Sequence, residues 1–334
     1  MTDKAPATYA GAGVDIEAGD KAVSLIRDAV RSTYRPEVVG DIGGFGGLFA
    51  LRTADHDQPV LVSSTDGVGT KAIVAAAARR YGTIGIDLVA MCVDDIVCQG
   101  AEPLFLLDYL AVGKLDPEMT AEIVDGVAEG CRRAGCALLG GEMAEHPGAM
   151  GPGEFDLSGF SVGVVERAEI LGPDRVRSGN RLVGLASPGL RCNGYALARQ
   201  VVQDHDVLLE PSVIYAPSVL AVKKELGPAL HAAAHITGGG LVGNVPRVLP
   251  SDCDAVLDGG AWEVPEVFRR IRRAGVDPGE MSHVFNLGLG MVLVVAPGRE
   301  QRAVEVLGAA GCPATIVGEV VAGNQGVRIE GLAL

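Results

Sequence analysis

Residues 84–98 read as a helix that is apolar on nearly every side, and a helix of that kind has to lie in the interior. The chain must therefore cover it on all faces, which requires packed layers above and below it. Yet the same stretch carries Asp87, Asp94 and Asp95 and no basic residue. Asp87 and Asp94 are seven apart and share one face, while Asp95 is turned about 100° from Asp94. A buried carboxylate without compensation costs several kcal/mol, so each needs hydrogen bonds or a cation. Two readings follow: the acids cap neighbouring backbone, or at least one faces a bound cation.

A second stretch favours the cation. The apolar run Pro59-Val60-Leu61-Val62 is expected to be a buried strand that breaks at Ser63-Ser64-Thr65-Asp66-Gly67-Val68-Gly69-Thr70-Lys71, with an alanine-rich helix after it. Glycines at a helix N-terminus offer free backbone N–H groups and the positive end of the helix dipole, which suits phosphate. An ordinary glycine turn is the alternative, and the spacing is not that of a Walker A loop. Asp66 stands where a carboxylate can hold the magnesium of a nucleotide.

Other glycine-rich breaks recur along the chain. Gly43-Gly44-Phe45-Gly46-Gly47 allows close approach of backbone to a ligand or a neighbouring chain. The expected strand 136–139 stops at Gly140-Gly141-Glu142, and Arg191-Cys192-Asn193-Gly194 heads a helix. His235-Ile236-Thr237-Gly238-Gly239-Gly240 follows His231-Ala232-Ala233-Ala234, which reads as helical. Taken alone, His235 reads as a hydrogen-bonded core histidine. Strands are expected at 48–52, 103–112 (carrying Asp108), 160–165, 181–186, 290–295 and 314–320. Helices are expected at 21–32, 71–80, 217–226, 242–249, 265–274 and 299–309. The helix after Asp116-Pro117-Glu118, ended by Gly135, has clear start and stop signals. Residues 1–20 are too glycine-rich for a helix and read as an arm; Arg27 and Arg31 read as a solvated helix face.

This alternation makes an α/β chain, and 334 residues suffice for two domains. The polar, Gly/Pro-containing stretch 166–180 marks their boundary, giving domains 1–170 and 171–334 with a site in the cleft between them. A net charge of −14 argues against nucleic acid as partner. Seven scattered cysteines without a Cys-x-x-Cys pair read as reduced thiols of a cytoplasmic protein. No apolar run is long enough for a bilayer, so no membrane is expected.

In this order and spacing, these motifs, with Tyr9 to Gly19 and Gln99-Gly100-Ala101-Glu102-Pro103, resemble the phosphoribosylformylglycinamidine cyclo-ligases, also called aminoimidazole ribonucleotide synthetases. The likeness covers about residues 9–330. It implies a homodimer whose N-terminal domains join their strands into one β-barrel, each with a C-terminal α/β domain packed against it. It also implies ring closure of formylglycinamidine ribonucleotide to aminoimidazole ribonucleotide, in purine synthesis, with ATP going to ADP and phosphate. ATP phosphorylates the amide oxygen, and the amidine nitrogen then closes the ring and expels phosphate. Carried over, Asp66 and Asp95 are the magnesium-ATP acids, with Asp94 and Glu142 as further metal candidates. Gly67, Gly69, Thr70 and Lys71 face the phosphates, Gly43, Gly44 and Gly46 form a second phosphate loop, and Arg27 lies near the nucleotide. Asn193, His235 and Thr237 approach the substrate. A potassium requirement stays open.

Three departures stand out. Arg191-Cys192 replaces the His-Ser usual before Asn193, so that histidine's role does not transfer, although an arginine there could bind phosphate instead. Met143-Ala144-Glu145-His146-Pro147 follows Glu142 in place of the usual Thr-Ala-Glu-Met-Pro, and Arg27 replaces a lysine. Rival readings fit less well. The large amidotransferase of the same superfamily is too long, and a selenophosphate synthetase would carry a reactive cysteine before Cys92. Thiamine-phosphate kinase remains to be separated by substrate. A silent nucleotide-binding dimer would have no physical reason to keep the buried acids. A nicotinamide dehydrogenase lacks its glycine fingerprint.

Overall fold

The computed structural model describes residues 12–334, so Tyr9, Ala10 and Gly11 of the expected arm lie outside the described residues. Helix α1 (Ile16–Arg31) starts earlier than its composition suggested. Asp15 caps it, accepting from Ala18 N at 3.1 Å, and Glu17 complements the dipole in the first turn. These offset the roughly 1 kcal/mol that Gly19 costs inside a helix. Strands β1 (Val38–Val39) and β2 (Leu48–Phe49) form a short antiparallel ribbon whose connection is the glycine loop 40–47.

The next elements are β3 (Pro59–Gly67), α2 (Lys71–Ala78), α3 (Ile84–Cys98), β4 (Glu102–Val112), α4 (Pro117–Ala134), β5 (Ala137–Glu145) and β6 (Phe155–Glu166). The strands form one sheet in the order β3-β6-β4-β5, parallel only between β4 and β5. Two of them run past the points where they were expected to break. β3 stays paired to β6 as far as Gly67↔Ser158, which puts Asp66 on a strand. β5 stays paired to β4 through Gly140, Gly141 and Glu142 to Val112↔Glu145. Ladder partners hold these glycines extended, and local composition cannot show that. The sheet of the single chain is open, with β3 and β5 as its edges, and closes no barrel by itself.

α3 lies beneath this sheet and is buried from Ile84 through Asp94. α4 packs on it at close range: a Cβ at Gly85 would lie 2.1 Å from Val127 N, so only glycine lets the two backbones touch. α4 itself obeys its signals, with Asp116 accepting from Glu118 N and Met119 N and Gly135 closing the end at φ +75°.

The second half comprises β7 (Arg181–Ala186), α5 (Tyr195–Val201), α6 (His205–Leu208), α7 (Ala216–Leu226), β8 (Leu230–His235), α8 (Gly240–Asn244), β9 (Cys253–Asp258), α9 (Glu266–Arg273), α10 (Pro278–Val284), β10 (Leu289–Val295), α11 (Glu300–Ala309), β11 (Ala314–Ala322) and β12 (Val327–Glu330). Its sheet has the order β12-β9-β11-β7-β10-β8, antiparallel except for β12 on β9. The alanines of 231–234, expected in a helix, form strand β8 instead, paired to β10 from Leu230↔Val295 to His235↔Met291. Burial against β10 overrides alanine's helix preference. The two α/β units share a core, since residues of α3 such as Leu88 and Val93 cluster with Tyr195, Tyr215 and Leu293. Among the described residues no helix is long and apolar enough to cross a membrane.

Candidate active site

The shared face of α3 holds the second half of the chain. Asp87 Oδ1 accepts from Ser212 N at 2.8 Å and Ser212 Oγ at 2.6 Å. Its Oδ2 lies 2.7 Å from Lys71 Nζ but off the line of a hydrogen bond, so that contact is ionic. Lys71 donates instead to the Glu210 carbonyl at 2.8 Å and faces the Tyr195 ring at 5.6 Å. Both charged side chains are 0% exposed. Lys71, expected at the phosphates, is thus shut inside the protein.

One helical heptad further on, Asp94 Oδ1 accepts from Tyr215 N at 2.8 Å and Ala216 N at 3.0 Å, at the head of α7. Its Oδ2 accepts from Arg191 Nη2 at 2.7 Å. Burial pushes the Asp94 carboxyl up, and Arg191 opposes that shift. Asp94 was expected among the metal acids, and its oxygens are committed within the protein.

Asp95 points the other way, its side chain 42% exposed. Its Oδ1 lies 2.8 Å from His235 Nδ1 and its Oδ2 accepts from Ser64 Oγ at 3.0 Å. Burial works against its charged form, but the bonds from His235 and Ser64 prevail and hold it below the usual carboxylate range. Asp66 faces the same space from β3, with Oδ1 accepting from Gly67 N at 2.7 Å. Burial pushes it up, and the neighbouring Asp95 adds to the shift. Lys71 and Arg191 pair with Asp87 and Asp94, and neither Asp66 nor Asp95 has a lysine or arginine partner among the described residues. No group of three or more His, Cys, Asp or Glu residues among them could hold a metal ion unaided.

Three loops edge this pair of acids. Gly69, at φ +55°, brings residues 67–70 to the 187–194 loop; a Cβ there would lie 3.9 Å from the Cys192 carbonyl oxygen. Thr70 follows, half-buried. Asn193 reaches α3, its Nδ2 lying 4.0 Å from Met91 Sδ, and its Oδ1 lies 3.4 Å from where a Gly238 Cβ would stand. Asn244 Nδ2 ties down the carbonyls of Thr237, Gly238 and Gly240, which fixes the course of the loop.

The other expected residues lie apart. A separate cavity of about 460 Å³ runs between α1, the loop 43–47 and the middle of β4 and β5, and Gly43, Gly44, Gly46 and Glu142 line it. Arg27 stands near its rim, with Nη1 3.9 Å from Asp41 Oδ2. β5 and β3 are opposite edges of the sheet, so Glu142 and Asp66 are roughly 14 Å apart across three strand spacings. Asp108 also lines this cavity; burial pushes its carboxyl to about 7. Gly141 makes room for it, since a Cβ there would lie 2.1 Å from Asp108 Oδ1.

Comparison with known proteins decides the family. Residues 49–165 match the family model described as AIR synthase related protein, N-terminal domain, and residues 177–330 match the corresponding C-terminal domain. The chain is 51% identical over 335 residues to the phosphoribosylformylglycinamidine cyclo-ligase of Trichlorobacter lovleyi, covering 95% of each. It is 53% identical over 336 residues to that of Anaeromyxobacter dehalogenans, covering 96% of this chain and 97% of the relative. The chain belongs to the phosphoribosylformylglycinamidine cyclo-ligase family. Its fold is shared more widely. Thiamine-monophosphate kinase from Stenotrophomonas maltophilia superposes with a TM-score of 0.64 at 17% identity, over 93% of this chain and 97% of that one. Hydrogenase maturation protein HypE in complex with ATP does so at 0.67 and 19%, over 92% and 90%.

In this member of the cyclo-ligase family, some neighbours of the acids were not singled out from sequence. Ser64 bonds Asp95 and Ser212 bonds Asp87, and neither serine carries a signal of its own. Arg191 stood out as a departure that could bind phosphate, and it is instead buried against Asp94. Asp108 did have a signal, an acid inside an apolar strand, and its cavity explains it.

Proposed function

We propose that the chain closes the ring of formylglycinamidine ribonucleotide to aminoimidazole ribonucleotide, converting ATP to ADP and phosphate as a step of purine synthesis. One observation carries the reading of the site: two neighbouring carboxylates, Asp66 and Asp95, have no lysine or arginine partner among the described residues and are edged by three loops. Two unbalanced negative charges suit one divalent cation, and magnesium is commonly held by one or two carboxylates together with substrate phosphates. The magnesium nucleotide is thus the substrate that completes the site. Asp66 and Asp95 would take the ion and the N–H groups of Gly69 and Thr70 would serve its phosphates, while loop 43–47, in its separate cavity, would serve a second phosphate. Thr237 and Asn193 stand where the second substrate would enter.

ATP would phosphorylate the amide oxygen, and the amidine nitrogen would then attack that carbon. Phosphate leaves with the oxygen and a proton is lost from nitrogen. Such chemistry asks for positioning and charge neutralisation more than for a protein nucleophile. No residue is assigned to potassium. The working form is a cytoplasmic homodimer, with the division into domains at residues 170/171 and the four-stranded sheets of two copies joined in one barrel. Purified protein with magnesium, ATP and formylglycinamidine ribonucleotide should yield the aminoimidazole product. Replacing Asp66 or Asp95 by Asn should cut turnover at least about 100-fold with the fold retained. ATP turnover stimulated by thiamine phosphate instead would sink the assignment.

A further inference from the structure

Arg191 departs from the residue expected in its loop, and its surroundings give it a task. It is 1% exposed and held at φ +61°, a backbone region costly for a residue with a Cβ. Several contacts hold it there. Nη2 donates to Asp94 Oδ2 at 2.7 Å, Nη1 donates to the Val213 carbonyl at 2.6 Å, and the guanidinium lies over the Tyr215 ring at 4.7 Å. The same Nη2 lies 3.0 Å from His235 Nε2. A guanidinium can only donate, so Nε2 must present its lone pair to it. A neutral imidazole then carries its proton on Nδ1, the atom 2.8 Å from Asp95 Oδ1.

We propose that Arg191 is a positioning residue: it fixes His235 as the Nδ1–H tautomer, and His235 thereby holds Asp95 Oδ1 in place as an oriented acceptor. The hydrogen bonds then run in one direction, from Arg191 to His235 and from His235 to Asp95, with Ser64 donating to the other Asp95 oxygen. His235 acts on Asp95 and does not touch substrate, because Nε2 is closed off by Arg191 and the side chain is 3% exposed. Lysine cannot substitute. It has one nitrogen where the planar fork serves Asp94, Val213 and His235 while stacking on Tyr215.

The effect on turnover rests on the magnesium-nucleotide reading of Asp95, whereas the tautomer does not. The test is therefore nitrogen NMR of full-length protein labelled with ¹⁵N-histidine, the His235 signal being assigned by its loss in His235→Gln. The wild type should show a protonated Nδ1 and a bare Nε2. Arg191→Lys should move the proton wholly or partly to Nε2. The pair Arg191→Met with Asp94→Asn, which leaves no buried charge alone, should do the same. In both variants kcat should fall about 10- to 100-fold, the range for lost support of a metal ligand, with KM for the ribonucleotide within about threefold. The magnesium concentration for half-maximal rate should rise. Protonated Nε2 in the wild type, or an unchanged tautomer in both variants, overturns the proposal. If the protein turns over no formylglycinamidine ribonucleotide, the function falls while the NMR result still decides the role of Arg191.

Discussion

Asp108 has the most disturbed carboxyl facing a cavity, and its titration should be visible in stability. An aspartate titrates near 3.9 in an unfolded chain; burial moves this one to about 7. Between about pH 4 and 7 the folded protein keeps a proton that the unfolded chain has lost, so stability falls as pH rises through that window. Below it both forms are protonated and the effect vanishes; above it the loss is complete. Asp108→Asn keeps the shape and stays neutral, so it should raise the melting temperature at pH 8 by several degrees and change little at pH 4.5. The shift corresponds to on the order of 2–4 kcal/mol. Equal shifts at both pH values would refute the buried-acid account. At this scale the sequence revealed chemistry better than placement. Asp66 could be read as a cation-facing acid from the glycines after it, whereas Asp95 was one of three helix acids that only the family resemblance paired with it. Asp94 was read as buried, but its partners could not be named, because Arg191 and Ala216 come 97 and 122 residues later.

Among the elements, α3 was legible to the residue, since an apolar surface on every side leaves a helix only one environment. β3, β5 and β8 were not, because glycines and alanines became strand through pairing with segments remote in sequence. The same helix carries a prediction. Asp87 compensates both the buried ammonium of Lys71 and the N–H and hydroxyl of Ser212. Asp87→Ala leaves that ammonium buried and unpaired and should cost about 3–5 kcal/mol. Asp87→Asn combined with Lys71→Met removes both charges, keeps an acceptor for Ser212, and should cost far less. Urea midpoints of the three proteins measure this. A midpoint for Asp87→Ala within about 1 kcal/mol of wild type would show that the pair does not tie α3 to residues 210–216.

At the scale of the whole molecule, apolar exposure is uneven. Every exposed large hydrophobic side chain among the described residues, from Ile16 to Phe160, belongs to the first half. Three of them share the outer face of the four-stranded sheet: Leu61 at 61%, Phe160 at 41% and Tyr109 at 41%. Pairing Thr65↔Phe160 and Phe160↔Leu107 puts them on the face opposite Asp66 and Asp108, which look toward α3. A β-sheet with such a face and an open edge at β3 needs a cover, because apolar area is worth about 25 cal/mol per Å² when removed from water. A second copy supplies a matching face under two-fold symmetry, which is how the expected barrel would close. Sedimentation should therefore give twice the chain mass for the wild type. Leu61→Asp with Phe160→Asp should give the single-chain mass and keep the secondary structure, because neither side chain supports the interior. A wild-type monomer that turns over substrate would discard the barrel, and so would a double variant that still sediments as a dimer.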